Sequence, residues 1–545
     1  MSEDARLRVV IVGFGPVGAR LCEELLPAVK TGLIDLTVVG AEKEVPYNRV
    51  LVAEMTVDRA DAASITLHDP QESVDAGVRV HLGTRVIGID RASKQVEMST
   101  GESVPYDRLV LATGARANVP TLTGIDRPAF DLSSLSRAGA GAIGADPVLP
   151  MGVTVLRDLA DAERIRAAVQ ERARIIVLGA GVLGLEFALL AAKAGAEVGV
   201  VHHGATPMPR SLDRGSGIVL SRALRASGVT VYAHSRAEAV AFRTDGDSTR
   251  TFDALVTADG NYVRGDLLVL SCGVGARAEL ATMSGLRTAM GIVVDEQLRC
   301  WTDADVFAIG DCAHIVEHTA ETDALTRLPG APSGLIGPGW RQAEWLARRL
   351  TAEASGVTLP SAAPTERDSV VMLKSDEIDV TAVGDVDVDV WESPLPDEPA
   401  PHRHVAEWAD PQHGRYLKLV TRDGILEAFA CVGMPRTSAE LTLLYDRGSE
   451  LPADRSLLLR FDGADDGAAA SADAFAPTST VCWCNGVTVQ RVEDAVAAGS
   501  DTVACIGRDI RAGTGCGGCK PRLAELLERF ASAEHVAPAE QAAPA

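Results

Sequence analysis

An apolar run over Arg8–Val12 breaks at Gly13, and apolar positions at helical spacing follow over Val17–Leu26, then a second apolar run at Leu36–Val39. A short continuous apolar run closed by glycine reads as a buried strand, and apolar residues three and four apart read as a helix packed on it. Strand, glycine turn, helix and strand in that order predict a βαβ unit. The pattern restarts at strand Ala173–Leu178, with a glycine turn, a helix over Leu183–Ala194 and a strand over Glu197–Val201. Further apolar runs end at Leu111, Leu270 and Ile309, and Trp340–Leu350 has helical spacing. Residues 365–460 alternate apolar and polar positions between turns, which predicts a small α+β unit. Residues 131–150 and 462–480 have loop or linker composition, and the last fifteen residues, rich in Ala, Pro and Glu, read as a disordered tail.

Composition narrows the class. Apolar residues make up 46% and charged residues 23% of 545, which fits several folded domains of roughly 100–200 residues each. The 75 acidic and 52 basic side chains leave a net charge of −23. Such a chain is repelled by nucleic-acid phosphates and by anionic membrane surfaces, so neither is expected as a partner. The chain contains no apolar run of about 18 residues, and its first residues do not resemble a signal peptide, so a cytoplasmic location is expected. Thiols stay reduced there, and clustered cysteines read as metal ligands rather than disulfides. Of ten cysteines, Cys482, Cys484, Cys516 and Cys519 crowd the C-terminal end.

The two glycine turns carry chemistry. Gly13-Phe14-Gly15-Pro16-Val17-Gly18 is GxGxxG between a strand and a helix. The first glycine permits the turn, the second lets a pyrophosphate approach the backbone, and the third lets helix and strand pack closely. The phosphate then rests on the helix N-terminus. Glu42, just past the second strand, is placed to accept from ribose hydroxyls. The alternative is a tight βα turn with no ligand. Strand ends at Ala112-Thr113-Gly114 and Ile309-Gly310-Asp311 can bring amides and one carboxylate to another face of the same ligand; alone, either is an ordinary strand terminus. Gly179-Ala180-Gly181-Val182-Leu183-Gly184-Leu185-Glu186 repeats the fingerprint, so two dinucleotides are implied. At the end of the next strand, where an acid would select NAD and an arginine NADP, stand His202 and His203. Arg210 is a candidate phosphate partner or a solvated surface residue, and NADH is the expected preference. Leu270-Ser271-Cys272-Gly273 closes this second site, with Cys272 as packing.

Together these motifs resemble the two-dinucleotide flavoprotein reductases over about residues 8–350. The stretch Tyr47-Asn48-Arg49-Val50-Leu51, and the run from Val200-Val201-His202 to Pro209-Arg210-Ser211-Leu212-Asp213, resemble assimilatory nitrite reductase large subunits and related nitrate reductase electron-transfer subunits. The resemblance implies an α/β, Rossmann-like fold with an FAD-binding domain at 1–150 and 288–350 and an NAD(P)-binding domain at 151–287. A small α+β domain comes next at 365–461, then a linker at 462–480. It places Arg49 beside FAD and Glu186 near both rings. The chain departs from the family in having Ala41 where an acid often precedes Glu42. No cysteine pair flanks the first helix, and no cysteine stands in Val50–Met55, directly after the Tyr47–Arg49 stretch. A thiol mechanism at the flavin is therefore not expected, and Cys22 reads as core.

Cys482, Cys484, Cys516 and Cys519 form C-x-C, 31 residues, then C-x2-C. Four thiolates at this spacing hold either a [2Fe–2S] cluster or one zinc. A helix over Val489–Ala498, with Thr488 before and Gly499 after, fills the spacer, and an amphipathic stretch Leu523–Phe530 lies beyond Cys519. Residues 481–530, including Arg511-Ala512-Gly513-Thr514-Gly515-Cys516-Gly517, resemble the bacterioferritin-associated ferredoxin-like [2Fe–2S] domain, a small helical iron–sulfur module with four cysteine ligands, and 531–545 is the tail. Cys505 lies outside the motif. Arg508, Arg511, Lys520 and Arg522 are a basic patch that could offset the thiolates or dock an acidic partner, or are solvated charge.

The resemblance implies hydride transfer from NAD(P)H to FAD, single-electron passage to the cluster, and delivery to a partner nitrate or nitrite reductase. No acid–base catalytic residue is required. The nitrite reductase large subunits it resembles also carry a sirohaem domain with further clustered cysteines; here the cysteines beyond the four module ones are isolated, so the resemblance implies oxyanion chemistry on another polypeptide. The alternatives are a ferredoxin or rubredoxin reductase and a zinc-stabilised, non-catalytic flavoprotein-like protein.

Overall fold

The computed structural model describes residues 6–125, 148–244, 250–357, 369–375, 378–389, 403–462, 475–482, 485–515 and 517–534. Most of the expected loop at 131–150, most of the 462–480 linker, Cys484, Cys516 and the tail from 535 lie outside them.

Strand Leu7–Val12 lies inside an eight-stranded sheet, paired in parallel with Ile34–Val39 on one side and Arg108–Leu111 on the other, with Asp303–Ala308 beyond. Val9 and Ile11 enter a core shared with helices Pro16–Lys30 and Ile336–Ala354, while Val10 and Val12 enter a second core on the opposite face. Burial on both faces is the reason the strand is apolar without alternation. Strand Arg174–Leu178 repeats this in an all-parallel five-stranded sheet: Ile175 and Val177 face one core, Ile176 and Leu178 another. A two-stranded antiparallel ribbon, Ala115–Ala117 with Val274–Ala276, ties the two nucleotide domains together beside Gly114 and Gly273.

The α+β unit is a five-stranded antiparallel sheet, Val371–Lys374, Asp379–Val383, Ile425–Val432, Arg415–Arg422 and Arg403–Asp410 in spatial order. Helix Pro435–Arg447 covers one face. The other face shares a core with the second nucleotide domain. At that seam Asp213 caps helix Arg214–Ala226 and accepts from the Tyr416 hydroxyl at 2.5 Å and from Lys418 Nζ at 3.2 Å, all three buried. Burial works against the charge, yet the bonds from Ser216, Tyr416 and Lys418 hold the Asp213 carboxyl below its usual range.

The cysteine module has its own core of Val481, Val487, Val492, Ile506, Leu523 and Leu526. Phe475 packs against it, six residues before the expected start at 481, beneath the guanidinium groups of Arg522 and Arg529 at 3.9 and 4.1 Å. The spacer holds a second helix, Val503–Ile510, capped by Thr502. Helix Lys520–Glu534 carries four residues assigned to the tail by composition; Ala531-Ser532-Ala533-Glu534 contains nothing that ends a helix. Among the described residues no helix is long and apolar enough to cross a membrane.

Candidate active site

The two glycine turns are built alike. Gly13 (φ +111°) and Gly179 (φ +116°) adopt a backbone conformation that side chains rarely tolerate, and a Cβ on either would lie 2.1 Å from a carbonyl oxygen, of Ala112 and Ser271 respectively. A Cβ on Gly18 would fall 2.0 Å from the Gly13 carbonyl oxygen, and one on Gly184 2.8 Å from Ser271 Oγ. These four positions are closed by packing. Gly15 and Gly181 are not: a Cβ on either would meet nothing within 4 Å, and each is the N-cap of its helix without a side-chain cap. The open glycine at a bare helix N-terminus is where a pyrophosphate fits, with backbone N–H groups as donors. Both turns therefore suit a dinucleotide.

A cavity of about 1090 Å³ spreads from the first turn. It is lined by Gly13, Gly15, Glu42, Arg49, Thr113, Gly114, Gly310 and Asp311 from the first nucleotide domain, and by Glu186 from the second helix, together with Val182 and Leu183. Gly18 packs beneath the turn. Gly179, Gly181, Gly184 and Gly273 are not part of the lining; they form the second turn and its neighbouring strand end, where the Gly273 carbonyl accepts from Asn118 N at 2.9 Å.

Several of these side chains are already engaged. Glu42 accepts from Arg49 Nη2 and, at 2.9 Å, from the Tyr47 hydroxyl, while the Arg49 guanidinium lies 5.0 Å from the Tyr47 ring centroid. Thr113 donates to the Arg277 carbonyl at 2.7 Å. Gly310 N donates to Gln342 Oε1 at 2.7 Å. Asp311 pairs with Arg157 Nη2 at 3.1 Å. Arg157, absent from the site read in the sequence, lies just after strand Val153–Val155 and immediately before the Asp158–Asp161 capping box; burial lowers its pKa. Asp161 lines the same cavity, and burial beside Asp158 pushes its carboxyl up to about 6. Arg277, Glu279 and Arg164 also line it. The one local signal for Arg157 is the Asp-x-x-Asp cap beside it.

At the second turn His202 is buried, and its Nε2 has no hydrogen-bond partner among the described residues. Burial, followed by the neighbouring His203 and His234, lowers its pKa below the ordinary histidine range.

In the cysteine module Cys482 and Cys519 are described, while Cys484 and Cys516 lie outside the described residues. A side-chain hydrogen bond with Cys519, together with bonds from the Gly513 and Asn485 amides and the Asn485 side chain, lowers the Cys482 thiol to about 6 despite burial. Asn485 Nδ2 lies 3.7 Å from the Cys482 sulfur. Cysteines elsewhere go the other way: burial raises Cys22 and Cys272 to about 11 and Cys431 to about 12. A thiolate-favouring pocket suits a metal ligand, whereas raised thiols suit packing. Cys22 is core, 3.3 Å from Ser73 Oγ. The expected basic patch is largely consumed within the chain. Arg508 pairs with Asp509 at 3.0 Å, Arg522 with Glu525, and Arg511 with Glu23 at 2.8 Å and Glu24 at 3.3 Å on the first helix.

Comparison with known proteins agrees with this architecture. Residues 7–324 match the pyridine nucleotide-disulphide oxidoreductase family, and residues 480–529 match the BFD-like [2Fe-2S] binding domain. The chain belongs to the pyridine nucleotide-disulphide oxidoreductase family and carries a BFD-like [2Fe-2S] domain. It is 27% identical over 538 residues to the assimilatory nitrate reductase electron transfer subunit of Bacillus subtilis (strain 168), covering 98% of this chain and 61% of that one. It is 25% identical over 541 residues to the nitrite reductase [NAD(P)H] of the same organism, covering 98% and 59%. A rubredoxin-NAD(+) reductase of Pseudomonas putida is 30% identical over 309 residues, 56% of this chain and 72% of that one. The chain thus spans only about six-tenths of the length of the first two relatives. Its fold is that of the two-dinucleotide flavoprotein reductases. The putidaredoxin reductase–putidaredoxin complex superposes with a TM-score of 0.64 at 23% identity, covering 86% of this chain and 97% of that one. A ferredoxin reductase from Rhodopseudomonas palustris gives 0.62 at 24%, covering 84% and 100%.

Proposed function

We propose that this chain is the electron-input part of an assimilatory nitrate or nitrite reductase system, taking electrons from NAD(P)H and delivering them to a partner that reduces the oxyanion. When bound, FAD would supply the exchange between a two-electron hydride donor and single electrons, and a [2Fe–2S] cluster held by the four module cysteines would supply one-electron passage. The chain's residues hold and orient these groups. Gly15 and the helix N-terminus behind it hold the FAD pyrophosphate, with Gly13 and Gly18 shaping the turn. Glu42, kept in place by Arg49 and Tyr47, accepts from the ribose; Thr113, Gly114, Gly310 and Asp311 close the far side. Gly181 does the same for the nicotinamide dinucleotide, between Gly179 and Gly184, and Gly273 borders it. Glu186 reaches the shared cavity from that side. Cys482, Cys484, Cys516 and Cys519 hold the cluster. A buried His202, kept neutral, offers no charge to a 2′-phosphate, which favours NADH over NADPH. The cytoplasm, where thiols stay reduced, is the fitting compartment.

The observation that carries this reading is that the cysteine module packs against the very segment, Tyr47–Leu51, whose Tyr47 and Arg49 line the flavin-sized cavity. The test is Cys516→Ser in the full chain. NADH-to-dye activity should persist while reduction of the partner reductase is lost; unchanged partner reduction would refute the relay. A purified protein that is colourless and holds one zinc would refute it as well. Identity to the rubredoxin-NAD(+) reductase favours a second reading that differs only in acceptor. Turnover with rubredoxin or ferredoxin matching that with the nitrate or nitrite enzyme would select it.

A further inference from the structure

Asn48 is almost fully buried, yet it is not part of the cavity lining. Its Oδ1 accepts from Val50 N at 3.0 Å, capping the short helix Arg49–Leu51. Its Nδ2 donates to two carbonyl oxygens of the cysteine module, Thr514 O and Gly515 O, each at 2.5 Å. Those residues immediately precede Cys516. Just beyond it, a Cβ on Gly517 would come 3.4 Å from Leu51 Cδ2, so the residue after Cys516 also lies against this short helix. A side-chain amide is the group that answers this arrangement, since it offers two N–H donors to two carbonyls while its own oxygen caps Val50. A carboxylate would set oxygen against oxygen.

A second anchor lies at the loop's start. Arg511, at φ +61°, ends helix Val503–Ile510 and pairs with Glu23 and Glu24 of the first helix. Its carbonyl accepts from Asn485 Nδ2 at 2.7 Å and from Thr514 Oγ1 at 2.8 Å, so the ion pair and the loop are one unit. The Arg511 side chain is about one-third exposed and its ion pair open to screening by salt, whereas the Asn48 clamp is buried.

We propose that Asn48 is a positioning residue for electron exchange between the cavity and the cysteine module. It clamps the loop before Cys516 onto the segment that carries Arg49, with Arg511 as the steering contact. This rests on the relay reading above. The experiment uses the full chain loaded with FAD and cluster, under anaerobic stopped flow with NADH. Flavin bleaching and cluster reduction are followed separately, and amide hydrogen exchange is measured over residues 511–519. In Asn48→Asp and Asn48→Ala, bleaching should keep the wild-type rate, cluster reduction should slow about tenfold, and exchange over 511–519 should rise. Arg511→Glu should slow cluster reduction less, and adding Glu23→Arg should restore it, which a general folding defect would not allow. Wild-type cluster reduction and exchange in both Asn48 variants would overturn the inference while leaving the relay standing. A wild-type protein whose flavin bleaches but whose cluster NADH never reduces would overturn the relay, and the inference with it.

Discussion

The turn at Gly13–Gly18 and the turn at Gly179–Gly184 agree closely and then diverge. In each, the first glycine has a φ above +110° with a carbonyl 2.1 Å from where a Cβ would be, and the second faces open space. Beyond the next strand the likeness ends. The first turn leads to Glu42, held by Arg49 and Tyr47, and further strand ends enclose its ligand space. The second leads to a buried His202 whose Nε2 lacks a partner among the described residues, and it contributes to the common cavity mainly through the next helix turn and Glu186. On the proposed reading each turn holds a pyrophosphate in the same way, and the residues beyond it select the dinucleotide.

The most severe test of this division adds a methyl group to a closed glycine. Gly13→Ala and Gly179→Ala should each cost about 2–5 kcal/mol of stability, from left-handed strain and overpacking. If the turns are separate devices, Gly13→Ala loses FAD, whereas Gly179→Ala keeps its yellow flavin and loses NADH turnover. Thermal unfolding with flavin quantification checks both, and loss of flavin in Gly179→Ala contradicts the division. A gentler change is Gly15→Ala or Gly181→Ala. Stability should hold, because nothing lies within 4 Å, while ligand affinity falls about tenfold or more as the new methyl meets the pyrophosphate. For Gly181→Ala the reading is KM for NADH, with an unchanged melting temperature as control. The mildest change addresses how the two turns differ. His202→Arg should lower KM for NADPH by about tenfold relative to NADH, since a fixed charge replaces a neutral imidazole. An unchanged ratio would place the selecting residue elsewhere.

Much of this architecture is legible in the sequence because its causes are local. Strand Arg174–Leu178 and helix Val182–Lys193 fall within one residue of the boundaries read from the apolar pattern, since burial on both faces and a glycine turn both leave marks on adjacent residues. The first helix, read as Val17–Leu26, continues through Pro27 to Lys30, and Ala28 and Val29 still pack against the core. Helix Val503–Ile510 has a Thr502 cap and sets Val503, Ile506 and Ile510 on one face, but at eight residues with Gly507 inside it the pattern is too short to stand out. The contacts that organise the site are the least legible. Arg157 meets Asp311 across 154 positions and Asn48 meets Thr514 across 466. Pairings at such separation have no periodicity, and each partner alone reads as an ordinary polar residue. Likewise the basic residues near Cys516 read as an offset to the thiolates, a docking patch or solvated charge, whereas Arg511 pairs with the chain's own first helix.

The seam at Asp213 has a bearing on how such a chain can be assembled from parts. One core runs without interruption from Val52 and Met55 through Leu220 and Leu224 to Tyr416 and Val432. The cysteine module instead closes on itself and meets its neighbour through an amide clamp and an ion pair. A gene fusion or fission near residue 475 separates two finished bodies, each able to keep its apolar interior dry. A break before residue 371 cuts through a shared interior and leaves Asp213, Tyr416 and Lys418 without one another. The cysteine module shares no apolar core with the nucleotide domains among the described residues, whereas the α+β unit completes one of theirs.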